Sequence, residues 1–229
     1  PTVKLKGQTK IGYGLSWNPN QKGQIVSCSY DSSICLWDIE TKSSEPIKKY
    51  IEHIGECEDV CFSKKNPNLF ISCGDDKTIK IFDIRDNKSC NSIVGHEKEI
   101  NSVDINNNNE NLYITGSSDK TVALWDLRKP ELLLHSFLQH KDIITNVKWN
   151  PHNANIFASA GEDSMVLLWD IYQIGANIGR EDNDDAPSEL IFEHRGHLSK
   201  VTEIDWNATE NMMLASVDNA CILHIWELN

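Results

Sequence analysis

One spacing recurs five times along the chain and constrains what the chain can fold into. In the clearest copy, His96, Thr115 and Asp119 lie 29, 10 and 6 positions before Trp125. The same spacing leads back from Trp169 to residues of the same types. Five copies at fixed spacing predict a repeat protein. The corresponding residues of the second complete copy are His140, Ser159, Asp163 and Trp169, and the other three copies end on Trp37, Phe82 and Trp226.

Each repeat contains three short runs of β-forming residues separated by turn-forming residues, with no helical periodicity between them. The linker to the next repeat supplies a fourth run, for example residues 132–137. Four-stranded sheets in radial array form a β-propeller. The sequence therefore predicts an all-β fold in which residues 1–229 form a single propeller domain with five visible blades. Residues 2–6 alternate apolar and polar side chains, which predicts the outermost strand of a blade whose other strands lie elsewhere.

The repeated Trp, Ser/Thr, His and Asp have a structural explanation. A buried indole N–H needs an acceptor, and a chain of hydrogen bonds from Trp through Ser/Thr and His to Asp satisfies every member. These are also the ingredients of a catalytic triad, but an active site is needed once, whereas this set recurs. Three copies are incomplete, because Gln8 replaces His, Phe82 replaces Trp and Ala220 replaces Asp. We expect their blades to be less rigid.

Composition narrows the classes of function. The formal charge of −12 disfavours a nucleic-acid surface and favours basic partners. Seven cysteines without any Cys-x-x-Cys pair are typical of a reducing compartment. His53, Cys57 and Cys61 resemble metal ligands, but residues four apart on a strand lie about 13 Å apart, too far to share one ion. No membrane span, phosphate loop or nucleophile elbow is present in the sequence, so we expect no metal, no cofactor and no enzymatic activity.

The Gly-His to Trp-Asp repeats resemble the WD-repeat family over essentially the whole chain. Within that family, the chain resembles more closely the retinoblastoma-binding histone chaperones, which are subunits of chromatin assembly, remodelling, deacetylase and Polycomb-type complexes. The segments that carry this closer resemblance are residues 12–19, 34–39, 119–128 and 134–137, together with the acidic insertion before Gly196-His197.

This resemblance implies a nuclear, non-enzymatic scaffold that binds histones three and four and subunits of chromatin complexes. It implies no direct contact with nucleic acid, a membrane or a small-molecule substrate. The family's propeller has seven blades and an amino-terminal helix, so this chain is expected to lack that helix and about two blades.

The acidic insertion spans residues 179–192. A charge run of this kind is commonly a solvated loop. Here an apolar pair follows it directly, which would give basic side chains an anionic rim beside an apolar groove. In the similar proteins this loop and the amino-terminal helix hold the first helix of histone four. The resemblance assigns the ion pairs to Glu181, Asp182, Asp184 and Asp185 and the groove to Pro187, Leu190 and Phe192.

The resemblance implies a second site at one end of the central channel, where the relatives bind the tail of histone three. Ile11 and Ile143 stand where the family has glutamates, and Thr145 stands where it has Phe. We therefore expect weakened or altered binding of the tail. The residues that match the family pattern are Tyr13, Glu58, Asn101 and Lys200.

A competing prediction concerns Arg85 and Arg128, each two residues after an aromatic-Asp pair. This pattern resembles the signature with which some WD-repeat proteins dock on cullin-type ubiquitin ligases as substrate receptors. The structural alternative is a surface arginine whose stem lies over the blade edge.

Overall fold

The computed structural model describes residues 3–176 and 186–228, whose regular structure is almost entirely β-strand. Two short 3-10 turns, Ile39–Thr41 and Ile171–Gln173, are the exceptions in this part of the chain. The strands form five antiparallel sheets, and within each sheet consecutive strands are neighbours. None of the described helices has the length and apolar character needed to cross a bilayer.

The sheets are numbered here as blades one to five in chain order. The first four have four strands each, and the fifth has three in the described part of the chain. Their strands are, in blade one, β1 (Leu15–Trp17), β2 (Gln24–Cys28), β3 (Ser33–Asp38) and β4 (Lys48–Ile51); in blade two, β5 (Cys57–Phe62), β6 (Leu69–Gly74), β7 (Thr78–Asp83) and β8 (Ser89–Val94); in blade three, β9 (Ile100–Ile105), β10 (Leu112–Ser117), β11 (Val122–Asp126) and β12 (Leu133–Phe137); in blade four, β13 (Ile144–Trp149), β14 (Ile156–Gly161), β15 (Val166–Asp170) and β16 (Leu190–His194); and in blade five, β17 (Val201–Trp206), β18 (Met213–Asp218) and β19 (Leu223–Glu227).

Consecutive blades pack face to face, and each of the four interfaces is filled by apolar side chains from both partners. Between blades three and four, for example, Phe137 packs against Phe157 and Trp169, with ring centroids 4.9 Å apart in both pairs. The first strands of neighbouring blades lie side by side and form the inner wall. This radial array confirms the predicted all-β propeller.

The inner strands are sheet edges, and side chains from the neighbouring blade satisfy some of their backbone N–H groups. Phe62 N donates to Ser16 Oγ at 3.0 Å, and Val103 N donates to Asp59 Oδ2 at 3.0 Å. Trp149 N donates to Asp104 Oδ2 at 2.7 Å. Because an edge strand otherwise carries unpaired donors, these bonds both cap the edge and join adjacent blades.

The tetrads are present in the predicted form. In blade three, Trp125 Nε1 donates to Thr115 Oγ1 at 2.9 Å, and Thr115 Oγ1 lies 2.7 Å from His96 Nε2. His96 Nδ1 lies 2.9 Å from Asp119 Oδ2, whose other oxygen accepts from Thr121 N. That second bond holds the tight turn in which Lys120 adopts a φ of 76°. One carboxylate therefore fixes both the histidine and the turn. His140, Ser159, Asp163 and Trp169 repeat this chain of bonds in blade four.

Blade five corrects one prediction. Ala220 occupies the expected position, but Asp218, two residues earlier, contacts His197 with its Oδ2 at 3.0 Å. Its Oδ1 accepts from Ala220 N and Ile222 N and so holds the turn. Trp226 Nε1 contacts Ser216 Oγ at 3.3 Å, which completes the tetrad.

Blades one and two have incomplete tetrads, as the sequence predicted. Gln8 Oε1 accepts from Ser27 Oγ at 3.0 Å, while Asp31 binds Thr9. In blade two, His53 contacts Ser72 and Asp76, but Phe82 offers no donor.

The strand predicted for residues 2–6 is wrong for the part that the structure describes. Residues 3–6 have no regular structure. One backbone hydrogen bond, from Lys6 N to Ser44 O at 2.7 Å, connects them to the loop between β3 and β4. A single bond is not a ladder, so alternation of side chains alone does not make a strand here.

Candidate functional site

The inner strands line a cavity of about 800 Å³, here called the mouth cavity. All five blades contribute to it, mainly through their first strands and the segments that precede them. Its lining residues are Tyr13, Leu15, Tyr30, Glu58, Asp59, Asn101, Ser118, Ile143, Thr145, Asn146, Lys148, Glu162, Thr202 and Glu203.

A β-bulge in each of four inner strands explains why so many polar side chains reach this cavity. In β5, for example, Cys57 pairs with Gly74 but Asp59 pairs with Cys73, so that Glu58 is the extra residue. A bulge places two consecutive side chains toward the same side of a strand, which plain alternation forbids. The equivalent extra residues in β9, β13 and β17 are Asn101, Thr145 and Thr202.

The charge balance of the mouth cavity is negative. Among its described lining residues, four carboxylates (Glu58, Asp59, Glu162 and Glu203) face one ammonium group (Lys148), a formal balance of −3. Lys200 Nζ, at the rim, lies 3.0 Å from Glu162 Oε1 and offsets one of these charges. Such a cavity attracts cationic groups.

Lys148 is the cation of the inner wall. Burial alone would lower its pKa, but the charges of Asp104 and Asp59 raise it. Burial also raises the pKa values of Asp59 and Asp104, although Lys148 acts against this. Among the described residues, the inner wall therefore holds more buried acid than Lys148 compensates.

Glu58 lies beside a pair of aromatic rings. Tyr30 donates its hydroxyl to Glu58 Oε2 at 3.0 Å, and the ring of Tyr13 meets that of Tyr30 edge-on, with centroids 5.5 Å apart. Burial, with further contributions from Asp75 and Glu56, raises the pKa of Glu58 to about 7, although the Tyr30 hydroxyl opposes the rise. Tyr13 is 71% exposed and presents an aromatic face at the cavity entrance.

Asn146 leaves an acceptor without a partner at the cavity wall. Its Nδ2 donates to Glu203 Oε1 at 2.7 Å, which fixes the orientation of the amide. Its Oδ1 is buried and has no hydrogen-bond partner among the described residues. A buried acceptor in this state costs about 1–3 kcal/mol, a cost that a donor brought by a ligand would remove.

Two comparisons with known protein families bear on identity. The model of the EIPR1 beta-propeller family matches residues 2–125, which is more than half of the chain. The chain belongs to the EIPR1 beta-propeller family. The model of the WD domain, G-beta repeat, matches residues 132–170. WD-repeat propellers are scaffolds for protein interaction and are generally not enzymes. Neither matched model is that of the histone chaperones, so this closer resemblance stays a prediction.

In this EIPR1-family propeller, three of the four predicted tail-binding residues line the mouth cavity, namely Tyr13, Glu58 and Asn101. The fourth, Lys200, reaches the rim through its ion pair with Glu162. Two of the predicted departures, Ile143 and Thr145, are also in the lining, whereas Ile11 lies outside it. Thr145 Oγ1 donates to Val201 O at 2.7 Å, so its hydroxyl is already used.

Sequence reasoning missed Asp59, Asn146, Lys148 and Glu203. The sequence does contain an indication of this role, because all four are polar residues within runs that predict inner strands. The sequence does not reveal the bulges, and without them consecutive residues of a strand are expected to face opposite sides.

The predicted histone-helix site is only partly described. Glu181, Asp182, Asp184 and Asp185 lie outside the described residues. Pro187 precedes β16. Leu190 is 5% exposed and packs into the core between blades three and four, and its assignment to the groove stays a prediction. Phe192 is partly buried against Trp226, with ring centroids 5.5 Å apart. Next to Leu190, Glu189 is buried and contacts His135 at 2.9 Å.

Arg85 and Arg128 each bind the Asp of their own aromatic-Asp pair. The Nε and Nη2 atoms of Arg128 contact the Asp126 carboxylate at 3.0 and 2.6 Å, and Arg85 binds Asp83 in the same way. Both side chains remain largely exposed, at 69% for Arg128 and 71% for Arg85. The docking role on a ubiquitin ligase stays a prediction.

Proposed function

We propose that this propeller is a scaffold that holds a basic segment of a partner protein at the mouth cavity. The observation that carries the proposal is the negative balance of the described lining, together with an acceptor that has no partner. A lysine or arginine side chain supplies both the charge and the donors that the cavity lacks.

The entrance supplies a way to hold such a side chain. The side chain of a lysine or arginine would lie against the exposed ring of Tyr13. A cationic group over an aromatic face gains about 0.5–1 kcal/mol at an exposed site. Its charged head would lie near Glu58, one oxygen of which is already oriented by Tyr30. Asn146 Oδ1 and the carboxylate of Glu203 would accept further hydrogen bonds deeper in the cavity.

We further propose that the partner is a histone and that the protein acts in the nucleus within a chromatin complex. The support is the resemblance of residues 12–19, 34–39, 119–128 and 134–137 to histone chaperones and the acidic character of both candidate sites. The tail of histone three would occupy the mouth cavity, and the first helix of histone four would contact the insertion at residues 179–192.

The test is titration of the full-length protein with peptides of the histone three tail and the first helix of histone four. Scrambled peptides of the same composition control for charge alone. Each titration is made at low and moderate salt, since ion pairs at an exposed rim weaken as salt screens them. The variants are Glu58→Gln and Glu203→Gln, with Glu210→Gln, an exposed residue outside the cavity lining, as the matched control.

We expect salt-sensitive binding of the tail peptide that the two cavity variants weaken at least about tenfold and the control variant does not. If neither the histone peptides nor the scrambled ones bind, the basic-segment proposal fails. If histone peptides bind no more tightly than their scrambled versions, the histone assignment fails while the cavity retains its role.

A further inference from the structure

Three histidine side chains meet between blades four and five. His194 ends β16, His197 follows in the connection to blade five, and His224 lies in β19. His194 Nε2 lies 2.9 Å from His224 Nδ1. When one ring nitrogen is taken from each of the three histidines, the three atoms lie within 4.8 Å of one another. Neither the fold nor the proposed function requires His194 and His224 to be in contact.

Only two of the three rings are available as ligands. His197 Nδ1 contacts Asp218 at 3.0 Å and its Nε2 contacts Ser216 at 2.7 Å, so both of its nitrogens belong to the tetrad of blade five. Its ring is stacked on that of His224, with centroids 4.2 Å apart. His197 therefore packs against the ring of His224 and does not itself act as a metal ligand.

We propose that His194 and His224 together bind a divalent transition-metal ion such as Zn²⁺ or Cu²⁺, with water completing the coordination. Imidazole nitrogen is a preferred ligand of both ions. Two Zn–N bonds of about 2.0–2.1 Å at a tetrahedral angle place the nitrogens about 3.3 Å apart. The observed 2.9 Å is a few tenths of an ångström shorter, so the two rings must separate slightly and turn until both lone pairs point to the ion.

The two nitrogens now share one proton. One ring donates an N–H to the lone pair of the other, and both lone pairs must face the ion when it binds. The donating ring releases that proton to water and takes one up at its other nitrogen, so that both rings stay neutral. The neutral imidazole is the form that binds metals.

The surroundings orient both ligands. The ring of His194 is stacked on Trp226 at a centroid distance of 4.7 Å and an angle of 10°. Gly196 leaves the space that the pair occupies, because a Cβ at this position would lie 3.0 Å from His194 Nε2 and 3.1 Å from His224 Cε1. Fixed ring orientations of this kind raise the affinity of a metal site. A bound ion would connect the outer strand of blade four to blade five.

The test is calorimetric titration of the metal-free protein with Zn²⁺, and with Cu²⁺ followed by electron paramagnetic resonance. Variants His194→Gln and His224→Gln each remove one ligand, and His152→Gln removes a histidine elsewhere as the matched control. We expect one ion per chain, a loss of affinity of more than about tenfold in each of the first two variants, and coupling of Cu²⁺ to two imidazole nitrogens.

Circular dichroism and the thermal midpoint without metal establish that the variants fold. Gly196→Ala keeps both ligands but fills the space between them, so it should also weaken binding. Zn²⁺ affinity that is unchanged in His194→Gln and His224→Gln, or lost equally in His152→Gln, would overturn the proposal. Because the site uses none of the mouth-cavity acids, its failure leaves the basic-segment proposal untouched.

Discussion

Asp218 Oδ2 lies 3.0 Å from His197 Nδ1, and both side chains are fully buried from solvent. In blades three and four the equivalent carboxylate comes from the second residue of the turn after the second strand. In blade five it comes from the last residue of that strand, β18. The chemistry of the tetrad is therefore kept although the sequence position changes. What matters is that one carboxylate reaches both the histidine and the N–H groups of the turn.

The first prediction concerns this carboxylate. Asp218→Asn should lower the thermal midpoint as much as Asp163→Asn does in blade four, because each removes the charged acceptor of a buried histidine. For Asp163→Asn, the loss should be about 1–3 kcal/mol in the free energy of unfolding. Thermal unfolding measures the midpoints of the two variants, and denaturant titration measures their free energies of unfolding. Ala220→Ser is the control and should change little, since Ala220 is exposed. An unaffected Asp218→Asn protein would remove Asp218 from the tetrad.

The second prediction concerns rigidity. Blades three, four and five have complete tetrads, whereas blade one lacks the histidine and blade two lacks the indole donor. A fully satisfied buried network resists local opening. Amides of β2, β3, β6 and β7 should therefore exchange faster with deuterium than those of β10, β11, β14 and β15. Equal protection of all five blades would contradict this expectation.

The spacing of tetrad residues predicted the fold because each hydrogen bond joins residues at a fixed separation in a four-stranded sheet. His96, for example, contacts Thr115 and Asp119, which lie 19 and 23 positions later. His140 contacts Ser159 and Asp163 at the same two separations. The predictions fail where a contact in the fold does not follow from the spacing of residues in the sequence. Asp218 reaches the required place from another position, and residues 3–6 are joined to the neighbouring loop by one backbone hydrogen bond, from Lys6 N to Ser44 O, and not by a ladder.

The candidate site was predictable only in part. Tyr13, Glu58 and Asn101 were found because they match a family pattern, and they do line one cavity. The unpaired state of Asn146 Oδ1 depends on a bond to Glu203, 57 residues away, which no local pattern encodes. The contact of His194 with His224 likewise forms only when blade five packs on blade four.

The third prediction concerns Lys148. Lys148→Met removes the positive charge that acts on Asp59 and Asp104, so the free energy of unfolding at pH 8 should fall by about 1–3 kcal/mol. The pKa values of these two carboxyl groups, already raised by burial, should rise further in the variant. They then take up protons as the pH falls, so the loss should be smaller at pH 5. Urea titration at the two pH values measures the difference, with exposed Lys98→Met as control.

The fourth prediction concerns the pH dependence of binding. Glu58 has a pKa of about 7 in the free protein, and a cationic partner favours its ionised form. At pH 6 most of the Glu58 side chains are protonated and must lose that proton on binding, whereas at pH 8 most are already charged. The affinity for a basic peptide without histidine should therefore rise up to about tenfold from pH 6 to pH 8. Glu58→Gln should abolish the rise, and an identical rise in this variant would exclude Glu58 as its source.

The fifth prediction concerns Tyr113, whose side chain is fully buried between blades two and three. Its hydroxyl has no hydrogen-bond partner among the described residues, and burial raises its pKa. Removing a buried donor that has no acceptor recovers its desolvation cost, so Tyr113→Phe should raise the free energy of unfolding by about 1 kcal/mol. Tyr50→Phe is the matched control, because the Tyr50 hydroxyl lies 3.4 Å from Asp86 O and its loss should not stabilise. If Tyr113→Phe proves destabilising in denaturant titration, the hydroxyl has a partner in solution and contributes to the interface between the two blades.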